Sequence, residues 1–261
     1  RLPVDEFKSQ HRGGRGVKGM GVHKDDFIEQ LISSSTHDML LFFTNSGKVY
    51  SMKGYEVPEY GRAAQGIPII NLLGINNKEK ISAVINVSHE TNDDDKYLFF
   101  TTKLGTVKRT AVTEFKNIRS NGLKALNLHE NDELIDVEVI SEDQPMIIGT
   151  HNGYALSFKS SVVRSMGRSA AGVRGIRLRD EDYVIGAAPL NPDSKVLVIS
   201  ENGFGKQTPA SEYPIKGRGG LGVKTVNVTA KNGPLVGLTT VNGDEDIMLV
   251  TDQGVIIRFG I

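Results

Sequence analysis

The sequence contains no cysteine and no tryptophan. Without thiols there is no disulfide framework, no thiolate zinc site and no cysteine nucleophile. No apolar run approaches the roughly 18 residues that a membrane-spanning helix needs. The first residues, Arg1-Leu2-Pro3-Val4-Asp5-Glu6-Phe7, show neither an initiating Met nor the apolar core of a signal peptide. They are expected to lie inside a longer polypeptide in a reducing compartment. Net charge is also lacking: 31 basic residues face 31 acidic ones. Aromatic residues make up only 7%, whereas glycine is plentiful at 29 of 261. That balance disfavours a helical bundle and suits a turn-rich β protein.

Repetition fills the chain. An apolar run, then Thr or Ser, then two residues and Gly recurs as LLFFTNSG ending at Gly47 and LFFTTKLG at Gly105. It returns as MIIGTHNG at Gly153, VLVISENG at Gly203 and IMLVTDQG at Gly254. Each copy leads into another strand-like run, which is a hairpin signature. A second motif is a basic, glycine-rich turn. Its copies are HRGGRGVKGM, YGRAAQGIPIINL, IRSNGLKALNL, MGRSAAGVRGIRL and KGRGGLGVKTVNV. Their aligned glycines, Gly16, Gly66, Gly122, Gly172 and Gly222, are spaced by 50, 56, 50 and 50 residues.

A further strand-like run completes each unit, at 81–87, 134–140, 183–190 and 235–241. Four short strands in about 50 residues cannot bury both faces alone, so the units must cover one another around an axis. The expected fold is all-β and propeller-like, one domain over 1–261. It has five nearly complete units and a sixth that is partial or closed by the two ends. A β-sandwich with coincidental turns is the competing fold.

Charge is segregated within this frame. The windows 1–18, 48–62, 103–124, 153–179 and 204–224 run from each outgoing hairpin strand through a glycine-rich turn. They hold 24 of the 31 basic residues and 6 of the 31 acidic ones. In a ring, such segments form a repeating positive track, which suits a bent polyanion. Phosphate contacts supply affinity, and many of them offset the cost of bending. One charged segment alone reads as a solvated face, but five in register point to double-stranded DNA. The candidate contacts are Arg12, Arg15, Lys18, Arg62, Lys108, Arg109, Arg119, Lys124, Arg168, Arg174, Lys206, Arg218 and Lys224. Arginine suits phosphate through its planar fork of donors. Glycine turns let the backbone approach and present N–H groups.

Other motifs carry less. Gly217-Arg218-Gly219-Gly220-Leu221-Gly222 fits a dinucleotide fingerprint in letters, but a strand-like run follows it where a helix is required. The six histidines are scattered without metal-ligand spacing, and the acidic runs at 93–95 and 244–246 read as loop tips. No constellation argues for catalysis, cofactor or metal in this chain.

Gln10-His11-Arg12-Gly13-Gly14-Arg15-Gly16 resembles the seven-residue box of the C-terminal domain of bacterial DNA gyrase A proteins. The likeness extends through GKVYSMKGYEVPEYGRAAQGIPIINLL, FFTTKLGTVKRT, MGRSAAGVRGIRL, ENGFGKQTPASEY and KGRGGLGVKT. The resemblance implies a β-pinwheel, usually of six blades, that wraps DNA positively for strand passage by a type IIA topoisomerase. It implies that the box, residues Gln10 to Gly16, fastens DNA. His11 departs from the family, which carries a base there; a neutral imidazole weakens phosphate contact and protonation restores it. The implied partners are the cleavage domain of the same polypeptide and the gyrase B protein in an A2B2 enzyme. ATP and magnesium belong elsewhere in that enzyme, and the implied location is the cytoplasm, at the nucleoid. The topoisomerase IV counterpart is the nearest rival, a protein-binding propeller scaffold a second, and a propeller enzyme a third.

Overall fold

The Thr/Ser-x-x-Gly signature folds as a hairpin turn for two local reasons. The hydroxyl accepts the N–H of the residue four positions on: Lys48 to Thr44 at 3.2 Å, Thr106 to Thr102 at 3.0 Å, Tyr154 to Thr150 at 3.2 Å and Phe204 to Ser200 at 3.3 Å. The glycines at the turn, Gly47, Gly105, Gly153 and Gly203, have φ between 79° and 88°, a region L side chains avoid. The computed structural model describes residues 1–3, 17–18, 20–21, 28, 30–88, 93–243, 245–250 and 255–260.

Five hairpins follow in chain order. They are β2 (Met39–Thr44) with β3 (Lys48–Lys53), β5 (Tyr97–Thr102) with β6 (Thr106–Ala111), and β9 (Pro145–Thr150) with β10 (Tyr154–Lys159). The last two are β13 (Lys195–Ser200) with β14 (Gly205–Pro209), and β17 (Asp246–Val250) with β18 (Val255–Gly260). After each of the first four, an inner strand returns to the incoming strand of its own hairpin: β4 (Ile81–Val87), β8 (Leu134–Ile140), β12 (Val184–Pro189) and β16 (Leu235–Val241). The sequence predicts four strands per unit, and the structure redistributes them. The two-residue strands β7 (Leu123–Lys124), β11 (Val173–Arg174) and β15 (Val223–Lys224) each skip the hairpin they follow and pair with the outgoing strand of the one before it, β3, β6 and β10. β1 (Val17–Lys18) pairs in the same manner with β18. We number the sheets 1 to 5 by hairpin; every sheet is antiparallel.

The crossing from one sheet to the next fixes the hairpin glycines a second time. The N–H groups of Ala125 and Leu126 both donate to the Gly47 carbonyl, at 2.8 and 3.1 Å. Gly175 and Ile176 do so to Gly105, and Thr225 and Val226 to Gly153. A Cβ at Gly47 would lie 2.5 Å from the Leu126 oxygen, and one at Gly153 2.4 Å from the Val226 oxygen. Gly203 has only open space around it, and among the described residues no strand covers β14.

The incoming strands β2, β5, β9 and β13 are buried on both faces, so they are nearly continuous apolar runs. Leu98 and Phe100 pack with Leu41, Phe43 and Val49 between sheets 1 and 2. Phe99 turns the other way, to Ile148, Leu156 and Phe158 of sheet 3. Ile147 and Ala155 meet Val196 and Val198 of sheet 4. Phe43 and Phe100 pack edge to face with centroids 5.5 Å apart, a geometry favoured by their ring quadrupoles.

A pair of carboxyls interrupts the apolar packing on β8. Asp136 and Glu138, two apart on β8, lie on one side of the strand and interact electrostatically, and Asp136 Oδ2 is buried without a hydrogen-bond partner. The backbone N–H of Ala187 on β12 supports the Asp136 carboxylate. Burial raises both carboxyls above the ordinary carboxylate range, and Asp136 raises Glu138 further. Two adjacent carboxylates without a cation cannot both ionise cheaply, so the pair retains a proton.

Candidate nucleic-acid interface

The strand exchange determines where the basic residues go. β7, β11 and β15 have the same sequence form, an aliphatic residue followed by a base. They pair in the same register, with Lys124 opposite Lys48, Arg174 opposite Thr106 and Lys224 opposite Tyr154. The aliphatic residue is half-buried and the base is exposed in all three. Each of these sheets therefore presents one cation at an equivalent point of its outer edge. Lys18 occupies the same backbone register, opposite Val255.

Successive turns are joined by backbone hydrogen bonds. Gly21 N–H donates to Ala64, Asn127 N–H to Ala170 and Arg177 N–H to Gly220, at 3.0, 3.2 and 2.8 Å. The first turn is thus tied to the second, and the third, fourth and fifth are tied in sequence. Arg119 is exposed on the turn preceding Lys124, and Arg62 is half-buried on the turn around Gly66. Arg218 is exposed and its Nη1 donates to the Arg174 carbonyl at 3.0 Å. Lys206 is exposed too, but its Nζ donates to the Thr225 carbonyl at 3.0 Å, so it also braces the crossing strand. Arg168 is half-buried and its Nε lies 3.7 Å from Glu114.

Two expected contacts are corrected. Lys108 is 0% exposed and Arg109 5% exposed, so neither is on the surface track. Lys108 faces sheet 1 and donates to the carbonyls of Ala125 and Arg168, at 2.6 Å each, with its amine 5.1 Å from the Phe100 ring centre. Burial, reinforced by the Arg168 charge, pushes its pKa down to about 8. Arg109 faces the other way. Its Nε donates to Val163 and its Nη1 to the Glu142 carbonyl, both at 2.8 Å, and its guanidinium lies 4.4 Å from the Tyr97 ring centre. Both cations are occupied in holding neighbouring segments. The expected box, Gln10 to Gly16, lies outside the described residues.

Three residues of this surface escape the repeat pattern: Arg177, Arg179 and Tyr154. Arg177 is exposed, and Arg179 is half-buried with its guanidinium 3.5 Å from the ring centre of Tyr154. Lys224 Nζ lies 5.9 Å from the same ring centre. The stretch Ile176-Arg177-Leu178-Arg179 carries a usable signal, since its apolar residues pack in the core and its arginines alternate with them.

The comparisons with known proteins agree with this architecture. The family model described as DNA gyrase C-terminal domain, beta-propeller, matches residues 1–35, 38–88, 96–141, 144–191, 194–242 and 245–261. The DNA gyrase A protein of Streptococcus pneumoniae serotype 4 is 66% identical over 258 residues, 99% of this chain. The corresponding protein of Halalkalibacterium halodurans is 60% identical over the same length. The chain spans 31% of each of these relatives. Among solved structures, a DNA gyrase A C-terminal domain superposes with a TM-score of 0.86 at 28% identity, covering 98% of this chain and 84% of that one. The C-terminal domain of a DNA topoisomerase IV gives 0.73 at 28% identity, covering 86% and 70%. With six consecutive family matches, the exchanged strands and the gyrase-type structure in agreement, the chain belongs to the DNA gyrase C-terminal domain family.

Proposed function

We propose that this chain binds double-stranded DNA along its glycine-rich turns and bends it positively around the sheet edges, and that strand passage elsewhere in a gyrase enzyme converts the wrap into negative supercoils. The observation that carries the reading is the equivalent, exposed placement of Lys124, Arg174 and Lys224 on successive sheets. A series of cations at one register meets successive stretches of a curved phosphate backbone. Bending a 20–30 bp site costs about 1–6 kcal/mol, which several contacts together offset. In this reading the chain performs no bond chemistry. Cleavage belongs to the preceding part of the gyrase A polypeptide, ATP hydrolysis with magnesium belongs to the gyrase B protein, and the A2B2 enzyme acts in the cytoplasm at the nucleoid.

The test is topological. A nicked circle is sealed with and without the intact protein, and the linking-number change is read across salt concentrations. A positive shift that fades with salt is expected. Binding without a shift moves the assignment toward the topoisomerase IV type, and no binding at low salt removes DNA as the partner.

A further inference from the structure

Three other features do not reach a ligand. The Asp136–Glu138 pair retains a proton but leaves Asp136 Oδ2 without a hydrogen-bond partner, buried Lys108 is used in bracing, and the uncovered β14 edge shows nothing of what would pair with it. The surface where the turn of β15 packs on the turn of β11 reaches further.

Five cations gather there. Arg174, Arg177 and Arg179 come from the earlier turn, Arg218 and Lys224 from the later one. The two turns are tied by Gly219 N–H to Gly175 at 2.6 Å and Arg177 N–H to Gly220 at 2.8 Å. Side chains add cross-links: Arg218 Nη1 to the Arg174 carbonyl at 3.0 Å, and Arg179 Nη1 to the Leu221 carbonyl at 2.7 Å. Arg179 and Lys224 both face Tyr154. Among the described residues none of the five has an ion pair. The preceding segment differs, because Lys116 is paired with Asp94 at 2.6 Å and Arg168 with Glu114 at 3.7 Å.

We propose that this junction is the principal phosphate anchor of the track, the place where DNA is gripped first and released last, so that the wrap nucleates here. The proposal rests on the reading that the glycine-rich turns bind DNA. Guanidiniums already tethered to backbone or stacked on a ring lose less freedom when they engage phosphate. Cations without acidic partners break no ion pair in doing so. Arg177, exposed on the earlier turn and tied through its N–H to Gly220 of the later one, adds a further cation to the cluster.

The experiment compares two charge reversals in the intact protein. One is Arg177→Glu with Arg218→Glu at the junction; the other is Arg119→Glu with Lys124→Glu one turn earlier. Thermal melts confirm folding of both. Affinity for linear DNA is measured between 50 and 200 mM salt, and hydroxyl-radical footprints are read as protein is titrated. The junction pair is expected to lower affinity at least about tenfold and to reduce the salt slope by about two, while the earlier pair lowers affinity about threefold. In the wild type, the first protected phosphates are expected to disappear in the junction variant alone. Equal losses in both variants, or a larger loss from the earlier pair, overturn the anchor and leave DNA binding standing. Affinity unchanged in both variants overturns the anchor and the turn-based reading together. If Arg177→Glu with Arg218→Glu unfolds, the milder Arg177→Gln supplies the comparison against Arg119→Gln.

Discussion

Lys108 and Arg109 on β6, and Arg174 and Lys224 on β11 and β15, are the same kinds of side chain set close to the repeating glycines. Their fates are opposite. The β6 pair is buried between sheets and bonded to carbonyls of other segments, while the edge pair stands in solvent. Strand position separates them. A residue in the middle of β6, which has sheet 1 on one side and sheet 3 on the other, faces a neighbouring sheet whichever way it points, whereas a residue on the short exchanged strand has only half its surroundings filled. Charge beside a glycine therefore reaches the surface here on the exchanged edge strands and not on β6.

The largest effects should break this contrast at the buried end. Arg109→Met strands the Val163 carbonyl, leaves the Glu142 carbonyl with Ser160 Oγ as its one remaining donor, and removes the contact with Tyr97. It should destabilise by about 3 kcal/mol, and Lys108→Met by about 2 kcal/mol, given roughly 1–3 kcal/mol per buried group left unpaired. Urea midpoints should fall with unchanged slopes, and retention of the wild-type midpoint would refute the bracing role. At the exposed end, Arg174→Ala or Lys224→Ala should leave stability within about 0.5 kcal/mol of wild type. Each should lower the salt slope of DNA binding by about one. A variant that lost stability without changing that slope would place the residue with Lys108.

A smaller effect concerns pH. Asp136 and Glu138 have folded pKa values raised above their unfolded ones. Their contribution to stability is complete in acid, below the ordinary carboxylate range, and is lost as pH rises through the raised values. Asp136→Asn should flatten the decline in stability measured from pH 5 to 8. Lys108 acts in the opposite sense: its depressed pKa means stability lost below about 8 and recovered toward 10.5. The smallest expected effect is at Glu181, whose φ of 58° lies in the left-handed region. Glu181→Gly should raise the unfolding free energy by no more than about 1 kcal/mol, because relief of backbone strain is offset by glycine's greater unfolded entropy. Chemical denaturation of the two proteins side by side measures it.

Much of this is legible in the sequence. The Thr44, Thr102, Thr150 and Ser200 hydroxyls and their glycines write the hairpins locally, within a span of a few residues. The exchange of β7, β11 and β15 is not legible, because a two-residue pairing between distant segments leaves no periodicity of its own. Lys108 and Arg109 mislead for a related reason: burial of a long cation depends on carbonyls supplied from residues 125, 142, 163 and 168, which no window around residue 108 contains. Arg177 and Arg179 escape the pattern because they follow the aligned glycine by several residues, and only packing of one turn on the next brings them to the same surface as Tyr154.

The exchanged strands also decide how the protein answers force. A duplex held in a curve pulls outward on whatever holds it. In the proposed function, the turns that carry β7, β11 and β15 receive that pull while bonded to their own hairpins through the chain and to the hairpins before those through their two-residue strands. The hairpin carbonyls of Gly47, Gly105 and Gly153 clasp the same crossing segments. In that reading, tension at any of these turns is divided between two sheets, and sheets 2 and 3 each share the load of two turns. Stiffness comes from linkage between neighbours and not from the strength of any one sheet, as in a woven band.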